Sequence, residues 1–145
     1  MTIRLESVSL EDAQRVIAAA QAKAEEIGSP SNIAVVDAGA NLVSHIRMDN
    51  AWVGSVDISI NKAFTARAFD IATKELAENA QPGEQFYGIQ NSNHGRVMVF
   101  AGGIPLRRDG LAVGGEGEVV LGGAGDRVLG AEVLRGLDHP ARHRV

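Results

Sequence analysis

A pair of strand-like segments separated by a tight turn limits the folds that are open to this chain. Ile33–Asp37 is an apolar run that ends in a polar residue, Ala38–Asn41 has the composition of a hairpin turn, and Leu42–Met48 alternates like a strand. Two strands joined by so short a turn pair antiparallel. The segment therefore predicts an antiparallel sheet rather than a parallel one.

Helical spacing marks the segments on both sides of this hairpin. Ser9 and Asp12 resemble a capping box, and the apolar residues after them recur at helical spacing as far as Ile27, where Gly28 can supply a left-handed stop. The same spacing predicts a second helix over Ser55–Phe69. Helices on either side of a hairpin are expected to cover the faces of its sheet.

The second half of the chain predicts a short helical turn at Thr73–Asn79, a polar loop at 80–93 and then a meander of short strands. The predicted strands are Val97–Phe100, Ile104–Arg107 and Leu111–Val113. A last helix over Asp126–Leu137 and a flexible tail from Asp138 complete the prediction. The expected class is α/β in the α+β sense, with residues 1–145 as a single domain.

Composition excludes several functional classes. The chain has no cysteine, which excludes disulfides, thiol catalysis and thiolate metal sites, and its net charge of -4 argues against a nucleic-acid partner. No apolar segment approaches membrane-spanning length and no secretory leader is visible, so a cytoplasmic location without membrane association is the expectation. Aromatic residues make up only 4% and glycines number 17, so a core of small and β-branched side chains is expected.

Four short motifs, in order along the chain, resemble the GlcG/HbpS family of haem-binding-protein-like domains, which also forms the C-terminal domain of some PduO proteins. The motifs are Asn32–Gly39, Ile46–Asp49, Asn61–Ala66 and Ala101–Leu106. The resemblance runs from about residue 6 to Gly114. It implies a profilin-like fold with a five-stranded antiparallel sheet flanked by helices, assembly into homo-oligomers and, in some members, a haem or corrinoid-related ligand.

The sequence departs from this family just after the predicted turn at Asp109-Gly110. Glu116 and Glu118 stand where the resemblance leads us to expect buried aliphatic residues. Either the pairing register is shifted, or two carboxylates face the interior, or the reading frame is altered from about Gly115. Since Gly-Glu-Gly-Glu is also a good loop sequence, the favoured interpretation is a glycine-rich edge with both carboxylates in water.

Three residues of the central segment are candidates for holding an anionic ligand. Alternation places His45 and Arg47 on one strand face, where Arg47 offers a fork of donors for a carboxylate or a haem propionate. The structural alternative for Arg47 is a salt bridge to Asp37 or Asp49. For His45, a surface or interface role is favoured over ligation. Lys62, within the family motif, is expected near the ligand pocket, its alternative being a buried ion pair.

The polar segment before the meander supplies two further candidates. His94 follows Asn91 in a turn-rich stretch beside the predicted sheet, where a neutral histidine can ligate haem iron or shuttle a proton. The alternative is a solvated turn in which Asn91 caps the backbone.

Three functions are consistent with these residues, and the third is an oligomeric accessory protein that carries out no chemistry. The first is a small-ligand-binding module for haem or a similar anion, with Arg47, Lys62, His45 and Asn91 as binding residues. The second is a cofactor-independent lyase, isomerase or hydrolase acting on a small carboxylated substrate. There Glu116 or Glu118 would move the proton with help from His94. Whether the chain is an enzyme is left open by the sequence.

Overall fold

The computed structural model describes residues 1–119. Both long helices and the first hairpin are confirmed, and two short 3-10 turns at Ile89–Asn91 and Asn93–Gly95 replace part of the predicted loop. The elements are α1 (Leu10–Glu26), β1 (Asn32–Val36), β2 (Leu42–Arg47), α2 (Ser55–Phe69), α3 (Thr73–Asn79), β3 (Gly103–Arg108) and β4 (Leu111–Val119). The predicted helix at Asp126–Leu137 and the tail from Asp138 lie outside the described residues.

The sheet is antiparallel, as predicted, with strand order β2-β1-β4-β3. Residues 1–119 form four strands rather than the expected five, because Val97–Phe100 is not a strand. The Met98 N–H donates to Thr65 Oγ1 on α2 at 3.0 Å, and the same hydroxyl lies 3.3 Å from the Arg96 carbonyl oxygen. The backbone of this segment therefore bonds to a helix side chain and not to a neighbouring strand.

Helix α1 begins where the capping pattern predicts. Ser9 Oγ accepts a hydrogen bond from the Asp12 N–H at 3.1 Å, which satisfies one of the free donors of the first turn. The helix buries an apolar stripe that includes Val16 and Ile17 against Ile33 and Val35 of β1. This contact covers one face of the sheet, called here the α1 face.

Helix α2 covers the opposite face, called here the α2 face, and approaches β4 closely because of two glycines. A Cβ atom added to Gly115 would collide with the Ala63 carbonyl oxygen, and one added to Gly117 with the backbone of Ser59 and Ala63. The helix therefore rests directly on the strand backbone, which only glycine permits.

No helix in residues 1–119 is long and apolar enough to cross a membrane.

Candidate functional site

His45 and Arg47 lie together on the α2 face of strand β2, as strand alternation predicts. His45 pairs with Ala34 and Arg47 with Asn32, and Ala34 packs in the small apolar cluster beneath α2. Within residues 1–119, β2 is an edge strand, and it forms a corner with the segment that leads into α2. We call this corner, formed by Asn32, His45, Arg47 and Trp52, the β2 corner.

His45 carries an unused polar atom at this corner. Its Nε2 is buried and has no hydrogen-bond partner within residues 1–119. Desolvation by burial lowers the pKa of the His45 imidazole below its ordinary value of 6.5, so the ring is neutral at neutral pH. A neutral imidazole keeps a lone pair on one nitrogen, which is the form that ligates a metal.

Arg47 extends from the exposed end of the strand. Within residues 1–119 its guanidinium forms no ion pair, so the predicted alternative of a salt bridge to Asp37 or Asp49 is not formed. Asp37 instead organises the hairpin turn, its Oδ1 accepting the N–H groups of Gly39 and Asn41 at 2.9 and 3.0 Å. Arg47 thus has its donors available for an anion.

Sequence reasoning missed two residues of this corner. Asn32 is fully buried, and its Nδ2 donates to the Trp52 carbonyl oxygen at 2.9 Å, which fixes the connection between β2 and α2. The Trp52 side chain is nevertheless 62% exposed. Two sequence signals pointed to these residues: a lone polar residue at the start of an apolar strand, and the single tryptophan of the chain.

Lys62 is buried between α2 and the ends of two strands. Its Nζ donates to the carbonyl oxygens of Ala101 and Glu118, the latter at 3.0 Å, and lies 4.1 Å from the centre of the Phe100 ring. These contacts connect α2 to the loop before β3 and to the end of β4. The lysine therefore holds the scaffold together, and no described contact places it at the β2 corner.

Glu116 and Glu118 are not in a solvated loop, so the favoured interpretation of this segment is wrong. Both belong to β4, they are 1% and 2% exposed, and they stand opposite Val35 and Ile33 of β1. Since Gly115 and Gly117 face α2, strand alternation directs the two carboxylates to the α1 face. The sheet consequently separates them from His45 and Arg47, an arrangement that gives no support to the acid–base enzyme.

His94 and Asn91 lie in the two consecutive 3-10 turns, which contact each other. Both residues are exposed, and His94 adopts a left-handed conformation with φ 57°. The Arg96 guanidinium just beyond stacks on the Phe64 ring at 3.9 Å and ties the turns to α2. The structure thus brings together two pairs, His45 with Arg47 and Asn91 with His94, and shows no contact between the pairs.

Comparison with known proteins identifies the family. A family model described as haem degrading protein HbpS-like matches residues 8–128. The chain belongs to this HbpS-like family. The resemblance of its four motifs is thereby confirmed.

Relatives and solved structures extend this finding. A 15.0 kDa protein of Citrobacter freundii, named for the dhaT-dhaS intergenic region, is 39% identical over 133 residues, covering 90% of this chain and 92% of the relative. The corrinoid adenosyltransferase PduO of the same organism is 38% identical over 111 residues, 77% of this chain, but the match spans only 33% of PduO.

Among solved structures, the PduOC:heme complex is 30% identical with a TM-score of 0.85, covering 91% of this chain and 96% of that one. A double mutant of Streptomyces reticuli HbpS is 28% identical with a TM-score of 0.83, covering 95% of this chain and 92% of that one. Both likenesses support the α+β fold.

Proposed function

We propose that this HbpS-like protein binds haem, or a similar planar anionic ligand, at the β2 corner. The observation that carries the proposal is the position of His45, whose Nε2 is buried and has no hydrogen-bond partner within residues 1–119, on the same strand face as the exposed Arg47. The PduOC:heme complex, which is similar along most of its length, supports haem as the first ligand to test.

The residues of the corner fit the chemistry of haem. His45 would hold the haem iron through a ring nitrogen, and Arg47 would offer paired donors that suit a propionate. The exposed Trp52 supplies a flat apolar face against which a planar ring can pack. When bound, haem would supply an iron capable of one-electron chemistry.

His45 would have to reorient in order to hold a haem group. Because Nε2 is out of contact with solvent, the ring would need to turn before this atom could be presented to a ligand. The turn breaks no hydrogen bond at Nε2, since none is formed there within the described residues. In the observed position, burial lowers the pKa of the ring and favours the neutral imidazole, the form in which a ring nitrogen could ligate a metal.

The test is a hemin titration followed by the Soret band and by quenching of Trp52, the single tryptophan. We expect saturable one-to-one binding in the wild type and loss of the Soret shift in His45→Ala. Arg47→Gln should weaken binding at least about tenfold, since a charge-assisted hydrogen bond is worth roughly 1.5–3 kcal/mol.

The matched control is His94→Ala, which removes an exposed histidine outside the corner. It should leave the Soret shift intact. If the wild type shows no saturable shift, haem is not the ligand. If His94→Ala abolishes the shift and His45→Ala does not, the site lies in the 3-10 turns and not at the β2 corner.

We further propose that the chain acts as a homo-oligomer. Large apolar side chains at Val53, Tyr87 and Leu111 are more than half exposed, which is the kind of surface that a second copy covers. Light scattering on the peak that elutes from a size-exclusion column should give a mass that corresponds to two or more copies of the 15.3 kDa chain. A monomeric mass would contradict this part of the proposal.

A further inference from the structure

A separate surface cavity of about 340 Å³ lies between the α2–α3 connection and strand β3. Since β2 and β3 are the opposite edges of the sheet that residues 1–119 form, this cavity is remote from the β2 corner. Its volume falls at the lower end of the range of small-molecule sites, about 300–1,000 Å³. Its apolar wall is formed by Ile71, Ala72, Ile104 and Pro105.

Two opposite charges face this cavity without pairing. Glu75 and Arg107 both line it, yet no nitrogen of Arg107 comes within 4.0 Å of the Glu75 carboxylate in the described part of the chain. The third charged lining residue, Asp70, is already engaged, because its Oδ1 accepts from Arg67 Nη1 at 2.8 Å. One guanidinium and one carboxylate therefore remain for a ligand.

The Arg107 side chain is held in place before any ligand arrives. Its Nη2 donates to the Asp70 carbonyl oxygen at 2.7 Å, and its Nη1 to the Gly110 carbonyl oxygen at 3.4 Å. These bonds use two of the five donor hydrogens of a guanidinium, so the others stay available. A donor that is already oriented loses less entropy when it binds an anion.

The edge of β3 excludes an extended peptide as the occupant. Pro105 has no N–H to donate, and the Gly103 N–H already donates to Thr73 Oγ1 at 2.8 Å. A peptide adding as a new strand needs these donors along the edge. The cavity is therefore suited to a small molecule.

We infer that this cavity binds a small zwitterion with an aliphatic body, such as an amino acid with a branched side chain. Arg107 pairs with its carboxylate, Glu75 with its ammonium group, and the wall around Ile71 and Ile104 packs against the hydrocarbon. The site is independent of haem binding at the β2 corner.

The experiment is a titration of the isotope-labelled full chain with L-leucine, followed by backbone amide NMR. We expect saturable shifts at Ile71, Glu75, Ile104 and Arg107. Leucine methyl ester lacks the anion and 4-methylpentanoate lacks the cation, and each should bind at least about tenfold more weakly, the factor expected for one lost charge-assisted bond.

Two variants and a matched control complete the test. Glu75→Gln and Arg107→Gln should each weaken L-leucine binding about tenfold or more. Glu78→Gln alters an exposed carboxylate on the same helix that does not line the cavity, and should leave binding unchanged. Because Arg107 also holds a loop, the folding of its variant is checked by thermal melting, and Glu75→Gln provides a test that leaves that loop intact.

The inference is overturned if L-leucine causes no saturable shift at these residues up to about 10 mM. It is also overturned if the ester and the des-amino acid bind as well as L-leucine. A failed hemin titration leaves these outcomes unaffected, so the two proposals fail separately.

Discussion

Replacing Gly117 by alanine probes the contact on which the whole α2 face is built. An added Cβ atom would lie within 3.0 Å of the Ser59 carbonyl oxygen, the Ala63 amide nitrogen and Lys62 Cβ. Two of these atoms belong to the backbone of α2, so no side-chain rotation can make room. The helix must move away from β4 as a body.

The expected cost follows from the size of the obstruction. Overpacking a core costs about 1–3 kcal/mol where flexible neighbours adjust, and occasionally more. Because the neighbour here is helix backbone, we expect Gly117→Ala to lower the free energy of unfolding by about 3 kcal/mol or more. At roughly 3 °C per kcal/mol for a chain of this length, the melting temperature should fall by about 10 °C.

Urea unfolding monitored by circular dichroism measures this loss, with Gly54→Ala as the matched control. Gly54 has φ -64° and open space around the position of a Cβ atom. Alanine there should change the free energy of unfolding by less than about 1 kcal/mol. If Gly117→Ala unfolds at the wild-type urea midpoint, α2 does not rest on the β4 backbone and the packing described for this face is refuted.

Two further predictions concern buried ionisable groups. Glu116→Ile combined with Glu118→Val should raise the free energy of unfolding by about 1–4 kcal/mol in urea, because even well-partnered buried charges are often less stable than apolar residues of similar size. The exposed control Glu84→Ile should stay within about 0.5 kcal/mol, and a loss of stability in the double variant would contradict the reasoning. Burial lowers the pKa of His45, so the unfolded chain takes up a proton at this residue more readily than the folded one. The contribution of His45 to the free energy of unfolding is therefore fully present above pH 6.5 and decreases as the pH falls below that value. His45→Gln should lose this part of the pH dependence. If the urea midpoints of the wild type and of this variant change in parallel with pH, His45 is not the source of the pH dependence.

Elements defined by local signals were predictable from the sequence. The bounds of Ser55–Phe69 and Thr73–Asn79 agree with the structure, since helical spacing and helix ends are encoded within a few residues. The strand predicted at Val97–Phe100 failed because its backbone bonds to Thr65, a partner 33 residues earlier than Met98. Only the tertiary fold brings that hydroxyl to the segment.

Some residues of the candidate sites could likewise be predicted from local sequence signals, and others could not. The shared face of His45 and Arg47 follows from strand alternation alone. The role of Asn32 depends on the connection that folds back over it. A polar residue at the start of an apolar strand and a single tryptophan mark the two partners in the sequence, but they do not show that the two residues touch. Glu75 and Arg107 are likewise distant in sequence and meet only across a cavity formed by tertiary packing.

The sequence of strand β4 explains why this segment was predicted to be a solvated loop. Its packing explains how the register is fixed. Register is normally specified by apolar alternation, since a slip of one residue exchanges the two faces. In β4 the alternation is between glycine and glutamate, so hydrophobicity would not select this arrangement. A slip would direct Glu116 and Glu118 to the α2 face, where the backbone of Ser59 and Ala63 leaves no room even for a Cβ atom.

Close packing of α2 therefore selects the observed register by excluding the alternative. The buried carboxylates are tolerated because the slipped strand is less stable still. The glycines set the register and the glutamates do not, so the apolar double variant at positions 116 and 118 should retain the pairing of β4 with β1.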